Sequence, residues 1–488
     1  MILVRIHGII CKIPDCKKAF LITTPTNQLN KRRQTQKSPG LLSRVSQALA
    51  HPPLFLATVF LVALAIRLIL VAVLVHNVPT VTIDHNDFGW ESWEVGWTAR
   101  SIFLGQGFSS PFLPITGPTA LVPPLYTYLV AGAFKLFGLD TVHSAFAILS
   151  FNSLCSALTC IPLYFLMQNS LSTKAGRFSS IAWAIYPFAI YFSADRVWDY
   201  ALTALLFTCS LLLAQRLHVK GWKAWLAFGA LYGVAVLSNP SVVTLLPFLL
   251  LIAMYKVWRI GGNWFTKSLI ASLAFLAVCA PWTIRNDRAM HSHFFLRDGF
   301  WLEFYAGNNG DTSESNSSWA HPGSNPLEMK KYQEMGEVAY MAQKHDLAVD
   351  FVKHHPGFFV VATLRRIVRF WTGYWSFGRA YLKLEPFDVP NVPFCLFLTF
   401  FLIRGLTRWW REDKGSALPS LLAVLIFPIP YYLTHSSMDY RQPLEPVIIT
   451  MVVVGLFGTG NKQINIESLE ANERESEKSE EREELVLA

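Results

Sequence analysis

Long apolar segments recur along this chain from residue 53 to residue 458, and they constrain its fold more than any other feature. The first segment, residues 53–75, is long enough to cross the hydrocarbon core of a bilayer as a helix. Hydrophobic residues make up 52% of the sequence and charged residues only 15%. A soluble chain carries about 25% charged residues. Because backbone in lipid must satisfy its own hydrogen bonds, the sequence predicts an all-α protein that spans the membrane several times.

The basic residues predict how these segments are threaded. Lys and Arg concentrate in alternate short loops, whereas the short turns between those loops hold only Arg196 and Arg441. The positive-inside rule then places both termini in the cytoplasm. The chain is predicted to be a multi-pass protein of the inner (plasma) membrane. The predicted bundle of about ten transmembrane helices covers residues 53–78, 142–167, 178–194, 200–216, 223–238, 241–257, 267–284, 390–405, 416–434 and 443–459.

Residues 119–138 are also apolar, but they include the pair Pro123-Pro124. Counting them as a span would invert every later loop and break the charge pattern. We therefore predict a juxtamembrane helix, interfacial or re-entrant, at the outer surface. The alternative, that these residues span and another segment does not, stays open.

The chain divides into three regions. Residues 1–52 form a basic cytoplasmic segment, residues 53–460 the membrane domain, and residues 461–488 a charged tail with no aromatic residue, predicted to be disordered. Two parts of the membrane domain face outside: a first loop, residues 79–141, and a large loop, residues 285–388. Within the large loop, residues 327–355 have an amphipathic helical pattern, and residues 357–377 suit a helix lying on the membrane.

Composition excludes several functions. The net charge of +9 does not indicate nucleic-acid binding, because the Lys and Arg lie mostly in loops where they report topology. There is no glycine-rich nucleotide loop, so ATP-driven transport and the use of a nucleotide sugar are not predicted. Five of the seven cysteines lie in apolar segments, and none has metal-ligand spacing, so no zinc site is predicted.

The first external loop carries the strongest chemical signal. Four carboxylates, Asp84, Asp87, Glu91 and Glu94, lie within eleven residues of one another. An enzyme at this surface has no cytosolic nucleotide sugar to use, so a sugar donor would have to be lipid-linked. Transfer from such a donor needs a carboxylate that takes the proton of the acceptor hydroxyl and an Arg or Lys that neutralises the leaving phosphate. This chain offers external carboxylates and arginines beside long apolar helices.

Six blocks of this sequence resemble bacterial family 39 membrane glycosyltransferases of the GT-C superfamily, which are related to dolichyl-phosphate-mannose protein mannosyltransferases. The blocks occur in order through residues 53–460. They are WEVGWTARSIFLGQGFSSPF (93–112), GPTALVPPLYTYLVAGAFKLFG (117–138), LSNPS (237–241), APWTIRN (280–286), LRDGFWLEFYAGNN (296–309) and DYRQPLEP (439–446). The resemblance implies a GT-C-like bundle, an outward-facing active site, a polyprenyl-phosphate-linked sugar donor and inversion at the anomeric carbon.

The family places an acidic residue of the first external loop at the reaction centre, often in an adjacent Asp-Glu pair. This chain has no such pair there, which leaves three candidates for the catalytic base. Glu94 lies in the best-matching block and ranks first, followed by Asp87 and then Asp84. Glu91 would share a helix face with Glu94, and two close carboxylates would raise one pKa.

Further candidates lie in the matching blocks and between them. Arg441, Arg285 and Arg297 are predicted to bind the donor phosphate, although an Arg at a helix mouth is often an interface anchor. Glu91, Asp199, Tyr440, Glu303 and Asn308 are predicted to contact substrate, although Asp199 also suits the start of a helix. His435 and His85 have no spaced partner and are set aside.

The predicted function is therefore an inverting transfer of a hexose or pentose to a hydroxyl of a protein, a glycolipid or an envelope glycan. Some GT-C enzymes use a divalent cation and others do not, and we expect no essential metal here. The alternative is a secondary transporter or flippase of envelope precursors. A transporter should show ionisable residues at mid-membrane, but the predicted spans are poor in them, with Arg67 as the main exception.

Overall fold

The computed structural model describes residues 51–76, 93–112, 115–312, 318–374, 378–379 and 388–459. Within these residues the chain is helical and contains no β-strand, so the predicted all-α class is confirmed. The helices before residue 240 are α1 (Pro52–His76), α2 (Trp93–Phe103), α3 (Pro124–Phe137), α4 (Val142–Leu158), α5 (Cys160–Ser170), α6 (Thr173–Ala184), α7 (Pro187–Asp195), α8 (Tyr200–Arg216) and α9 (Trp222–Ser238). The later helices are α10 (Leu246–Arg259), α11 (Trp264–Met290), α12 (Phe300–Gly307), α13 (Pro326–Met335), α14 (Glu337–His354), α15 (Pro356–Thr372), α16 (Asp388–Glu412), α17 (Lys414–Ile426), α18 (Ile429–Leu433) and α19 (Glu445–Phe457).

Helices occupy all ten segments that were predicted to span. In the described part of the chain, seven stretches are long and apolar enough to cross a membrane: Pro52–Val75, Val142–Ser170, Tyr200–Val219, Pro240–Arg259, Trp264–Met290, Val389–Glu412 and Lys414–Leu433. The other three predicted spans fall on helices that are shorter or broken, namely α6 with α7, α9 and α19. The multi-spanning class is thus confirmed, while the number ten stays a prediction.

Arg67 in α1 is fully buried, and its position is explained by a helix break. Helix α6 ends at Ala184, and Pro187 begins α7, so the last carbonyls of α6 have no helical partner. The Arg67 guanidinium donates to the carbonyls of Ala184, at 2.9 Å, and Trp183, at 3.2 Å, and to the Ser156 hydroxyl, at 3.0 Å. The cation therefore fastens α1 to the broken helix, a structural use that involves no transport path.

Two glycines let α16 and α19 approach closely. A Cβ on Gly405 would lie 1.8 Å from the carbonyl oxygen of Met451, and one on Gly455 would lie 2.2 Å from that of Phe401. Small residues on both surfaces are a common way for membrane helices to pack backbone to backbone. This close contact between α16 and α19 fixes the position of α19, which begins within the DYRQPLEP block.

Helices α12 to α14 build a second, smaller core outside the main bundle. Its buried members are Phe112, Leu121, Leu302, Tyr332, Tyr340 and Met341. The residues 327–355, predicted to be helical, form two helices, because Gly336 (φ 74°) separates α13 from α14. An ion pair links the two helices across this break, since Lys344 Nζ lies 2.6 Å from Glu328 Oε2. Together with Lys331 and Tyr340, Lys344 lowers the pKa of Glu328 to about 2.

Helix α15 has the two faces expected of a helix on a membrane surface. Val360, Val361, Leu364 and Val368 are each about half exposed and form one stripe. On the other face, the buried Arg366 donates to the carbonyls of Tyr432 and Leu433, at 3.3 and 3.1 Å, at the end of α18. The described residues 356–372 thus match the amphipathic helix predicted from the sequence, although its contact with lipid stays a prediction.

Candidate functional site

Glu94 lies in the first turn of α2. It belongs to a cluster of polar side chains that come from several distant parts of the chain. Its Oε1 is 3.4 Å from Nε2 of His321, and both side chains are only about 15% exposed. Burial raises the pKa of the Glu94 carboxyl, and the nearby Glu303 adds to this. His321 and Arg297 oppose the increase. A shielded carboxylate whose pKa is raised toward neutrality has the properties of a general base.

The backbone near His321 indicates which ring nitrogen carries the proton. The Gly323 amide donates to His321 Nδ1 at 3.2 Å, so Nδ1 acts as an acceptor. In the neutral ring the proton then lies on Nε2, the nitrogen that faces Glu94. The ring also contacts Phe112 edge-on, with centroids 5.4 Å apart, which limits its rotation. His321 therefore presents an N–H group to the carboxylate at either charge state.

Arg297 and Glu303 form the second part of the cluster. Arg297 Nη2 lies 3.9 Å from Glu303 Oε1, and Arg297 Nε is buried without a hydrogen-bond partner among the described residues. An unsatisfied guanidinium N–H in a shielded place is costly unless a ligand accepts from it. Arg297 acts electrostatically on both Glu94 and Asp199, so the cation lies among carboxylates rather than beside one alone.

His435 continues the cluster toward the last helices. Its Nδ1 lies 3.3 Å from Glu303 Oε2, and its Nε2 is 2.7 Å from the Tyr440 hydroxyl. The Tyr440 ring stacks on Tyr431 with centroids 4.9 Å apart and planes 4° apart. Burial lowers the pKa of His435, so it is neutral at pH 7. Tyr440 and Glu303, both predicted from matching blocks, are thus joined through a histidine that sequence reasoning had set aside.

Asp199 precedes α8 and is almost fully buried. Its Oδ2 accepts hydrogen bonds from Thr203 Oγ1, at 2.7 Å, and from Asn239 Nδ2, at 3.1 Å. Burial raises its pKa to about 6, although these two hydrogen bonds act in the opposite direction. Asn239 lies in the LSNPS block, so the structure brings this block into contact with the start of α8.

Three of the predicted acidic residues, Asp84, Asp87 and Glu91, lie outside the described residues, so their proximity to Glu94 stays a prediction. His321 was not predicted at all. It lies in a polar, turn-rich segment, where a histidine has no periodic pattern to distinguish it. The sequence could have indicated His435, which comes four residues before the DYRQPLEP block.

Arg441 occupies a different place from the rest of the cluster. Its guanidinium is buried, and its Nε donates to Glu445 Oε1 at 2.5 Å. Its Nη1 donates to the Phe370 carbonyl at 3.1 Å, and Glu445 also accepts from the Tyr186 hydroxyl at 2.8 Å. These partners occupy the donor groups, so the geometry favours a structural ion pair over the predicted phosphate contact.

The side chains of Arg285 and Asn308 likewise form hydrogen bonds to backbone carbonyl groups. Arg285 lies over the rings of Phe108 and Trp282 and donates to the carbonyls of Phe108, at 2.5 Å, and Thr119, at 2.6 Å. Asn308 is fully buried and donates to the carbonyls of Phe304 and Leu433. Of the three arginines predicted for the donor phosphate, Arg297 is the one whose charge acts on the pKa of Glu94.

A second pair of carboxyl groups consists of Asp298, which follows Arg297 in the chain, and Glu337, the first residue of α14. Glu337 accepts from the Thr119 hydroxyl, at 2.5 Å, and from the Ala120 amide, at 2.6 Å. Burial together with the charge of Glu337 raises the pKa of Asp298 to about 9, and neither carboxylate oxygen of Asp298 has a hydrogen-bond partner among the described residues. We therefore expect a proton on Asp298, shared with Glu337, to tie the segment that carries Arg297 to the loop before α3.

This pair makes stability depend on pH. An Asp whose folded pKa lies above its ordinary value contributes most stability at low pH, and loses it as pH rises from about 4 toward about 9. We expect the unfolding temperature of the wild type to fall over this range, and Asp298→Asn, which cannot ionise, to remove most of that slope. Thermal unfolding in detergent between pH 5 and pH 9 measures both. Equal slopes in the two proteins would contradict the shared proton.

In the part of the chain that the structure describes, no three His, Cys, Asp or Glu side chains are arranged to hold a metal ion. The remaining acids of the first loop lie outside that part. Dependence on a divalent cation stays an open expectation.

A family model supports the resemblance derived from the sequence. The model for dolichyl-phosphate-mannose-protein mannosyltransferases matches residues 121–284, about a third of the chain, and the predicted resemblance is confirmed there. These residues run from the loop before α3 into α11 and include Asp199 and Asn239. Among curated proteins, none matches the chain in sequence.

Solved structures with a similar arrangement include two membrane proteins. One is the archaeal oligosaccharyltransferase AglB from Archaeoglobus fulgidus in complex with an inhibitory peptide and a dolichol-phosphate, with 13% identity and a TM-score of 0.49 over 82% of this chain and 50% of that chain. The other is ArnT from Cupriavidus metallidurans bound to undecaprenyl phosphate, with 14% identity and a TM-score of 0.45 over 85% of this chain and 60% of that chain. This chain spans half to three-fifths of the length of these proteins.

Proposed function

We propose that this protein is an inverting glycosyltransferase that moves a sugar from a polyprenyl-phosphate donor to an acceptor hydroxyl at the outer membrane face. One observation carries the proposal. Glu94 is a shielded carboxylate held beside a histidine and an incompletely bonded arginine. Each residue of the cluster comes from a connection that the sequence predicts to be external. The matched family's description, which names a dolichyl-phosphate-linked mannose donor, supports the donor class.

Glu94 is the proposed general base. Its carboxylate takes the proton from the acceptor hydroxyl, whose oxygen attacks the anomeric carbon from the face opposite the phosphate. A carboxylate with a raised pKa holds that proton better than an exposed one would at the same pH. The His321 N–H faces Oε1 and thereby restricts the orientation of the base.

Arg297 is the proposed contact for the leaving group. As the bond between the anomeric carbon and the phosphate oxygen breaks, the electron pair stays on the polyprenyl phosphate, which gains negative charge. The Arg297 Nε, which has no partner among the described residues, can donate to that phosphate. Glu303, which lies 3.3 Å from His435 Nδ1, approaches the guanidinium from its Nη2 side.

The acceptor belongs to the proposal only as a class, a hydroxyl of a protein, a glycolipid or an envelope glycan. Tyr440 and Tyr431 form a flat stacked pair next to His435, and such rings suit contact with a sugar face. Asp199 and Asn239 offer hydrogen-bonding groups near the same end.

Turnover with lipid-linked sugars tests the proposal. The protein would be reconstituted in liposomes with radiolabelled polyprenyl-phosphate sugars that differ in the sugar, together with candidate acceptors. We expect release of polyprenyl phosphate with transfer of label from at least one donor. Movement of intact donor across the bilayer, without release of polyprenyl phosphate from any donor, would instead support the flippase alternative.

Replacing His321 by Ala tests its role beside the base. His321 lowers the pKa of Glu94, so its loss should shift the acidic limb of the pH–rate profile to higher pH. We expect a decrease of roughly fivefold at neutral pH, about the worth of one hydrogen bond, with recovery at higher pH. His293→Ala is the matched control, because His293 is exposed and, within the part of the chain that the structure describes, pairs only with Asp287. An unshifted profile in His321→Ala would contradict this role.

A further inference from the structure

A polar cavity lies at the end of the bundle opposite the candidate site. Its volume is about 220 Å³, and it lies between the ends of α5, α8 and α10 and the start of α17. Helix α8 begins next to Asp199 and ends at Arg216, which lines the cavity. Its 17 residues place the two sites roughly 25 Å apart. By the positive-inside pattern, this end is the predicted cytoplasmic one.

Two cations line this cavity with few partners. Lys256 is half-buried and makes no hydrogen bond or ion pair with any residue that the structure describes, although Asp413 attracts it from a longer distance. Arg216 is exposed and donates from Nη2 to Asn169 Oδ1 at 2.8 Å; its other N–H groups have no partner among the described residues and are open to water. A partly desolvated ammonium without a partner is unfavourable, so a bound anion would stabilise this arrangement.

The carboxylate in the cavity does not neutralise both cations. Asp413 Oδ1 accepts from the Ser416 amide at 3.1 Å, where it caps the start of α17. Arg216, Lys256 and Asp413 together leave one net positive charge. A phosphodiester carries one negative charge and accepts several hydrogen bonds, so it fits both the charge and the unused donors.

The surroundings of Lys256 place the cavity at the depth of lipid headgroups. Tyr255 and Trp258 are 57% and 60% exposed, and their ring centroids are 6.0 Å apart. Exposed Tyr and Trp near the end of a spanning helix mark the membrane–water interface. Ile252 and Leu249, one and two helical turns before Lys256, also line the cavity. A ligand there meets cations at one side and apolar side chains at the other.

We propose that this cavity binds the phosphodiester headgroup of an anionic phospholipid from the adjacent leaflet. The net charge selects a phosphate, and the apolar wall with the aromatic belt favours a lipid over free phosphate. The site is independent of the proposed sugar transfer, because none of its residues lies in the cluster around Glu94.

Lipid retention tests this proposal. The full chain would be placed in nanodiscs of phosphatidylcholine with a minor fraction of phosphatidylglycerol, and retained lipids would be counted by native mass spectrometry. We expect the wild type to retain phosphatidylglycerol selectively. Arg216→Ala with Lys256→Ala should weaken retention at least about tenfold, since hydrogen bonds to a charged group are lost.

The matched control is Lys220→Ala with Lys223→Ala, which removes the same charge from exposed residues at the same end of the bundle. Circular dichroism melting checks that both double variants fold. Equal loss of lipid in the two double variants would indicate general attraction to an anionic surface and overturn the site. Titration of delipidated protein with inorganic phosphate distinguishes the sources. Binding of inorganic phosphate without any retained lipid would overturn the lipid assignment.

Discussion

Glu94→Gln is expected to lower sugar transfer by at least about 100-fold, because loss of a general base costs roughly 10²–10⁴ in rate. Glutamine keeps the size and polarity of the side chain but cannot take a proton from the acceptor. The change should appear in kcat more than in KM, since the donor is proposed to bind through Arg297. Initial rates in reconstituted liposomes with the donor that the wild type accepts measure both quantities.

Glu334→Gln is the matched control. Glu334 is exposed in α13, and among the described residues it pairs only with Lys330, so its loss should leave transfer unchanged. Both variants should unfold at the wild-type temperature within a few degrees. Full activity in Glu94→Gln would transfer the role of base to Asp87 or Asp84 and remove the main support for the proposed site.

Arg441→Ala is expected to destabilise the protein by about 3–5 kcal/mol, because it leaves the fully buried Glu445 as an uncompensated charge. The loss also removes the hydrogen bond from Arg441 to the Phe370 carbonyl, which joins α15 to the last helices. Thermal unfolding in detergent should show a marked fall in the unfolding temperature. Arg411→Ala, at an exposed position near the end of α16, is the control and should change it little.

A double variant separates the two roles considered for Arg441. Replacing Arg441 by Met and Glu445 by Gln removes both charges together, so we expect most of the lost stability to return. If Arg441 is structural, this variant should transfer sugar with a KM for the donor close to that of the wild type. A stable double variant whose KM rises severalfold would restore the phosphate contact predicted from the sequence.

Apolar length made most helices predictable from the sequence. The segment predicted at 200–216 is α8, Tyr200–Arg216, and the segment predicted at 223–238 is α9, Trp222–Ser238. These agree because long apolar segments and flanking charges act locally. The break at Gly336 was missed, since the amphipathic pattern continues across it and only the positive φ of 74° reveals the turn.

The candidate site was predictable mainly where a residue lies in a matching block. Glu94, Glu303 and Tyr440 were predicted in this way, and the structure places them in or next to one cluster. His321 lies more than 200 residues after Glu94 in the sequence, and no local pattern predicts the contact between them. Long-range convergence of this kind depends on how α12 and the small outer core pack.

Arg441 shows a second limit of prediction from the sequence, because a residue in a matching block can also have a structural partner. Its block and its position after a polar turn suggested a ligand contact, but the sequence also contains Glu445 four residues later. That spacing suits a pair on one helical turn. The sequence alone does not reveal that Arg441 and Glu445 are buried together. Nor does it reveal the Tyr186 hydroxyl, which also forms a hydrogen bond to Glu445.

The position of a bound donor tests the central claim most directly. The structure of the protein would be determined with a phosphonate analogue of the polyprenyl-phosphate sugar that it accepts, in which the anomeric bond cannot be cleaved. The account predicts that the phosphonate contacts the Arg297 guanidinium and that the anomeric carbon faces Glu94 on the side opposite the phosphonate. A phosphonate bound at Arg441, or anywhere away from the cluster of Glu94, His321 and Arg297, would contradict it.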